Sequence, residues 1–95
     1  MFDVSKIRDL FPILKRKVNG RDLVYFDNGA STQKLHSVID TVSNYYKEEN
    51  SNVHRGVHFL SGLATDKFEE SRRVIRKFIG AKHDHEIIFT KGTTD

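Results

Sequence analysis

Apolar positions along the chain alternate between helical spacing and short unbroken runs. Val4, Ile7, Leu10 and Phe11 make a first stripe, with Asp3 or Ser5 placed to cap it. Pro12 restricts Phe11 to extended geometry, so this helix is expected to end there. Leu35, Val38, Ile39, Val42, Tyr45 and Tyr46 recur in steps of three and four, predicting a helix that ends near Glu49. The longest stripe is Leu60, Leu63, Ala64, Phe68, Ser71, Val74, Ile75, Phe78 and Ile79, with Gly80 as its C-cap. Its acids Asp66, Glu69 and Glu70 precede its bases Arg72, Arg73, Arg76 and Lys77. That order complements the helix dipole and lets Glu69 pair with Arg72 or Arg73.

The unbroken runs predict strands. Lys15 to Val18 and Arg21 to Phe26 flank Asn19-Gly20, the pair that favours a type I′ hairpin turn. Leu23 to Phe26 is apolar throughout and is expected to pack on both faces. Asp27-Asn28-Gly29-Ala30-Ser31-Thr32 follows as a turn of small residues, and Asn50 to Gly56 reads as a loop. Ile87 to Phe89 reads as a strand, which needs partners to be stable. The predicted order is α-β-β-α-α-β with a further helix beginning at Asp95, an α/β class seen in part.

Composition narrows the picture. A chain of 95 residues, 37% apolar and 31% charged, supports one domain at most and a modest core. The net charge of +3 is too small an excess to indicate nucleic acid by itself. Lys15-Arg16-Lys17 and the Arg72–Lys77 cluster lack interleaved exposed aromatics and read as solvated faces. The absence of cysteine excludes a disulfide framework and a thiol nucleophile within these residues. No apolar run reaches the roughly 20 residues that span a bilayer. The first residues lack the apolar core of a signal peptide. A cytoplasmic protein without a membrane partner is the expectation.

Candidate chemistry lies in three places. After the last apolar run, Gly92-Thr93-Thr94-Asp95 offers backbone N–H groups and two hydroxyls at a helix start, an arrangement suited to an anion, though threonine also caps helices routinely. His54-Arg55-Gly56-Val57-His58 sits where a loop enters a helix. It can grip a carboxylate or phosphate while moving a proton, or it is a polar helix entry. As a metal site it lacks an intervening glutamate and a third ligand close in sequence. Asp27 to Ala30 lets a ligand approach the backbone, and turn chemistry explains it equally well.

Together these segments carry a resemblance. Leu23-Val-Tyr-Phe-Asp-Asn-Gly-Ala-Ser-Thr-Gln-Lys34, Asn50-Ser-Asn-Val-His-Arg-Gly-Val-His58 and Glu86-Ile-Ile-Phe-Thr-Lys-Gly-Thr-Thr94 resemble the N-terminal region of SUF-type cysteine desulfurases. These belong to the class V aminotransferase group of fold-type I pyridoxal-phosphate enzymes. The resemblance covers nearly the whole chain, which on this reading is an N-terminal piece of the larger enzyme and inactive alone. It implies that residues 1–34 belong to a terminal lobe as helix and hairpin. Residues 35–95 would supply helices and the first strand of the large lobe.

The resemblance further implies pyridoxal 5′-phosphate as cofactor, L-cysteine as substrate, L-alanine as product and an enzyme persulfide destined for iron–sulfur cluster assembly. A homodimer and a sulfur-acceptor protein are the implied partners. Thr93 and Thr94 match the pair that helps hold the cofactor phosphate. Gly29 and Ala30 match small residues beside the bound amino acid, and His54 and Arg55 match the site mouth near the dimer interface. Asp95 stands where the family has glutamate, Leu35 where it has proline, and Lys91 where arginine is frequent. The cofactor-linking lysine, which follows a histidine in the family, and the persulfide cysteine have no counterpart in these 95 residues. Two other readings remain open on the residues alone: a small basic non-catalytic module that binds nucleic acid or protein, and another class V enzyme such as a selenocysteine lyase.

Overall fold

Asp3 accepts a hydrogen bond from the Lys6 amide at 3.3 Å and so starts helix α1, Val4–Arg8. The computed structural model, which describes residues 1–54 and 56–95, shows α1 ending four positions before Pro12. Phe11 is extended, as a residue before proline must be, and Pro12 opens a 3₁₀ turn over Pro12–Lys15. That turn consumes Lys15 and shortens the expected strand: β1 is Lys17–Val18 and β2 is Arg21–Asp22.

The hairpin register pairs Lys17 with Asp22 and Val18 with Arg21. Asn19 and Gly20 both have positive φ, 52° and 76°, which is the type I′ geometry expected of the dipeptide. An ion pair between Lys17 and Asp22 closes the pair and, first through its hydrogen bond, holds the Asp22 carboxyl below its ordinary range. The expected strand over Leu23–Phe26 does not form. Continued past Lys17–Asp22, the register would set Val24–Phe26 against the 3₁₀ turn Pro12–Lys15, which offers no extended backbone, and the ladder stops at Asp22.

Helix α2 spans His36–Asn44 and continues as a π turn over Tyr45–Glu49, so the helical path ends where the apolar spacing predicted. The His36 amide donates to the Leu10 carbonyl at 2.8 Å, fixing the start of α2 against the end of the first helical segment. The chain divides into two compact units, Met1–Glu48 and Glu49–Asp95.

In the second unit, α3 runs Phe59–Ile79 and ends on Gly80 in the left-handed conformation, φ 76°. The Gly80 cap and the acid-before-base order of α3 appear as the sequence implied. Arg73 pairs with Glu70 at 2.8 Å and Arg76 with Asp84 at 2.6 Å. These contacts spend the basic cluster on its own neighbours. A 3₁₀ turn, Asp84–Glu86, follows; the Glu86 carboxylate accepts from the amides of Lys82 and His83 at 2.8 and 3.0 Å.

The apolar run Ile87–Phe89 is not a strand, which corrects the final β of the predicted order; it finds no partner strand among the described residues. It is held by side chains instead. Arg72 donates to the Ile87 carbonyl, and its guanidinium lies over the rings of Phe68 and Phe89, 5.4 and 4.9 Å from their centroids. The buried set here is small: Ser61, Ala64 and Ile87. Among the described residues, no helix is long and apolar enough to cross a membrane.

Candidate functional site

The loop ahead of α3 is bound to the helix by a row of polar side chains spaced one turn apart. Ser61, 1% exposed, donates its hydroxyl to the Asn52 carbonyl at 2.9 Å and accepts the Gly56 amide at 3.0 Å. Thr65 accepts the His54 amide at 3.0 Å and donates to the Ser61 carbonyl at 2.8 Å. Glu69 receives the His54 imidazole, with Nε2 3.1 Å from Oε1. Its other oxygen takes Arg72 Nε at 3.0 Å. Serine, threonine, glutamate and arginine at 61, 65, 69 and 72 therefore form one face of α3. The apolar stripe drew attention to the neighbouring face, and this one was missed. The available signal was the i, i+4, i+8, i+11 spacing of hydrogen-bonding side chains beside a histidine-containing loop.

His58 has a different task. Its Nδ1 accepts the Ser61 amide at 3.3 Å and caps α3, so this nitrogen is committed to the helix. Gly56 is placed where a side chain cannot fit: a Cβ there would lie 2.9 Å from Ser61 Cβ and 2.8 Å from His58 Nε2. His54 has φ 63°, a conformation rare for a side-chain-bearing residue. Arg55, singled out with His54, lies outside the described residues.

Thr93 and Thr94 lie in an exposed turn closed by the Asp95 amide on the Gly92 carbonyl at 3.2 Å. Gly92 to Asp95 close a single i→i−3 bond, which makes a turn. Asp95 also reaches back to the Lys91 amide at 3.1 Å. Neither threonine spends its amide or hydroxyl on a hydrogen bond among the described residues, and nothing lies within 4 Å of the Cβ position at Gly92. This donor set fits a phosphate group.

Gly29 and Ala30 belong to the first unit, in a turn with its own fastening. The amides of Ala30 and Ser31 share the Asp27 carbonyl at 3.0 and 3.1 Å. The Tyr25 hydroxyl donates to the Ser31 carbonyl at 2.6 Å, and Asn28 Oδ1 takes the Gln33 amide at 3.0 Å. A cleft of about 370 Å³ opens beside it, lined by Arg8, Phe11, Leu14, Tyr25, Asn28, Thr32 and Gln33. His54 and the threonine turn belong to the second unit. There the Glu69–Arg72 pair connects His54 to Ile87, six residues ahead of Thr93.

Residues 24–95 match the aminotransferase class-V model, and the chain belongs to that family. Among its relatives, a probable cysteine desulfurase from Mycolicibacterium paratuberculosis is 52% identical over 95 residues, all of this chain and 14% of that protein. The cysteine desulfurase of Synechococcus elongatus is 49% identical over 94 residues, 99% of this chain and 15% of that one. A probable cysteine desulfurase from Staphylococcus aureus strain Mu50 is 53% identical over 93 residues, 98% of this chain and 22% of that protein. The apo structure of cysteine desulfurase from Thermococcus onnurineus NA1 superposes with a TM-score of 0.78 at 41% identity, over 96% of this chain and 21% of that chain. This chain therefore spans less than a quarter of the length of these relatives.

Proposed function

We propose that these residues form the amino-terminal portion of a pyridoxal-phosphate-dependent cysteine desulfurase. On this reading the enzyme converts L-cysteine to L-alanine and leaves the sulfur as a persulfide on an enzyme cysteine, for iron–sulfur cluster assembly. The observation that carries the proposal is similarity along essentially the whole chain, 49–53% identical to proteins named as cysteine desulfurases.

Thr93 and Thr94 would hold the cofactor phosphate through hydroxyl and amide donors. The cofactor supplies an electron sink when bound. The residues present here bind and orient: the threonine turn fixes one end of the cofactor, so reacting groups elsewhere meet it in a constant geometry. Gly29 and Ala30 would leave room for the amino acid against the backbone, and His54 and Arg55 would line the mouth of the site or the subunit interface. The lobe division, residues 1–34 and 35–95, the homodimer, the sulfur-acceptor partner and a cytoplasmic location belong to the same proposal. The lysine that links the cofactor and the cysteine that carries the persulfide would have to come from other residues, since neither a His-Lys pair nor any cysteine occurs here.

A basic nucleic-acid module has less support, because Arg72, Arg73 and Arg76 are each paired with an acid. The test is expression from the complete gene. Cofactor absorbance near the visible edge and alanine release from cysteine are expected, and Thr94→Ala is expected to lose cofactor on dialysis. Full cofactor retention by Thr94→Ala would remove the threonine assignment, and absence of alanine would remove the enzyme reading.

A further inference from the structure

We infer that Glu69 is a positioning residue for His54, fixing which imidazole nitrogen is presented to a ligand. Glu69 is an acceptor on both oxygens: Oε1 faces His54 Nε2 at 3.1 Å and Oε2 faces Arg72 Nε at 3.0 Å. A carboxylate facing Nε2 requires the proton on that nitrogen. In the neutral ring Nδ1 is then the acceptor, and it has no hydrogen-bond partner among the described residues. This is the logic by which a carboxylate orients a histidine for proton acceptance, here with the two ring nitrogens assigned by the contact.

The surroundings make the arrangement specific. Arg72 is 19% exposed at its side chain and lies against both Phe68 and Phe89, whose rings meet each other with centroids 5.0 Å apart, so the guanidinium that holds Glu69 is itself held. The edge of His54 meets Phe68, with centroids 6.0 Å apart and planes at 87°. Thr65 takes the His54 amide one turn earlier on α3. Main chain and ring are thus fastened at separate points of one helix, while about half of the ring's surface stays open to solvent. Helix pairing alone accounts for Glu69 with Arg72; it does not account for the imidazole, which comes from fifteen residues away.

In functional terms the inference rests on the desulfurase reading, which puts His54 at the mouth of the site. There Nδ1 would accept a hydrogen bond from an N–H or S–H group of the amino-acid substrate, and Glu69 would act only through His54.

The test uses the protein expressed from its complete gene with labelled histidine. In the neutral ring, nitrogen chemical shifts are expected to show a protonated Nε2 and an unprotonated Nδ1 for His54. Glu69→Ala is expected to shift the His54 signals toward free imidazole while those of His36, His83 and His85 stay in place. Glu70→Ala, which breaks the similar pair with Arg73, is expected to leave His54 unmoved. In turnover, Glu69→Ala and His54→Ala are each expected to reduce kcat/KM about tenfold, and the double variant by no more than either alone. Unchanged His54 signals in Glu69→Ala, or additive losses in the double variant, would overturn the inference. If the protein releases no alanine from cysteine, the desulfurase reading fails, and the histidine spectra still decide whether Glu69 sets His54.

Discussion

The hydroxyl of Thr65 accepts the backbone N–H of His54 at 3.0 Å. This contact fastens the main chain of a residue at φ 63°, where a side chain costs about 1–2 kcal/mol relative to ordinary backbone. The hydroxyl can do so because its own proton is already committed to the Ser61 carbonyl one turn back. Thr65→Val keeps the shape and removes the acceptor. It is expected to destabilise the protein by about 0.5–1.5 kcal/mol in urea titration and to speed exchange of the His54 amide. Thr65→Ser, which keeps the hydroxyl, is expected to retain slow exchange.

Gly56 and Gly62 are expected to respond in opposite directions to alanine. A Cβ at 56 meets Ser61 Cβ at 2.9 Å, and Ser61 is fixed by bonds to both Asn52 and Gly56. Gly56→Ala should therefore cost about 1–3 kcal/mol through overpacking. Gly62 lies inside α3 with nothing within 4 Å of its Cβ position, so Gly62→Ala should stabilise by about 0.5–1 kcal/mol. Thermal melts of both variants beside the unaltered protein check the pair.

Tyr25 fastens the turn that contains Gly29 and Ala30. Tyr25→Phe removes the 2.6 Å bond to the Ser31 carbonyl and leaves the ring. A loss of about 0.5–1.5 kcal/mol is expected. Faster amide exchange at Ala30 and Ser31, whose N–H groups share the Asp27 carbonyl, is the sign that this turn has loosened.

Glu86 makes the turn after α3 acid-sensitive. The His83 amide is the main cause holding its carboxyl below the ordinary value, assisted by Lys82 and opposed by partial desolvation. A carboxyl that titrates lower in the folded chain favours folding above its unfolded pKa. That contribution disappears as pH falls through the folded value. The amide resonances of Lys82 and His83 are expected to move toward unbonded positions only as pH drops below the ordinary glutamate range. In Glu86→Gln they should show no such transition.

Local physics made much of this chain legible. Asp3 capping α1, Asn19-Gly20 turning the hairpin and Gly80 ending α3 are each decided within a few residues, so the sequence alone was enough. The threonine turn and the His54 loop stand out as candidate chemistry by residue type and spacing alone.

What sequence could not decide was pairing over distance. Leu23–Phe26 and Ile87–Phe89 have the composition of strands, yet a strand exists only where another backbone offers its hydrogen bonds. Opposite Val24–Phe26 the chain turns as a 3₁₀ segment, and beside Ile87 it is the Arg72 side chain that supplies the donor. For the same reason Glu69 reads in sequence as a helix-surface partner of arginine, and only the folded loop brings His54 Nε2 to its free oxygen. Residue identity set what each group could bond; tertiary structure chose among donors that lie far apart along the chain.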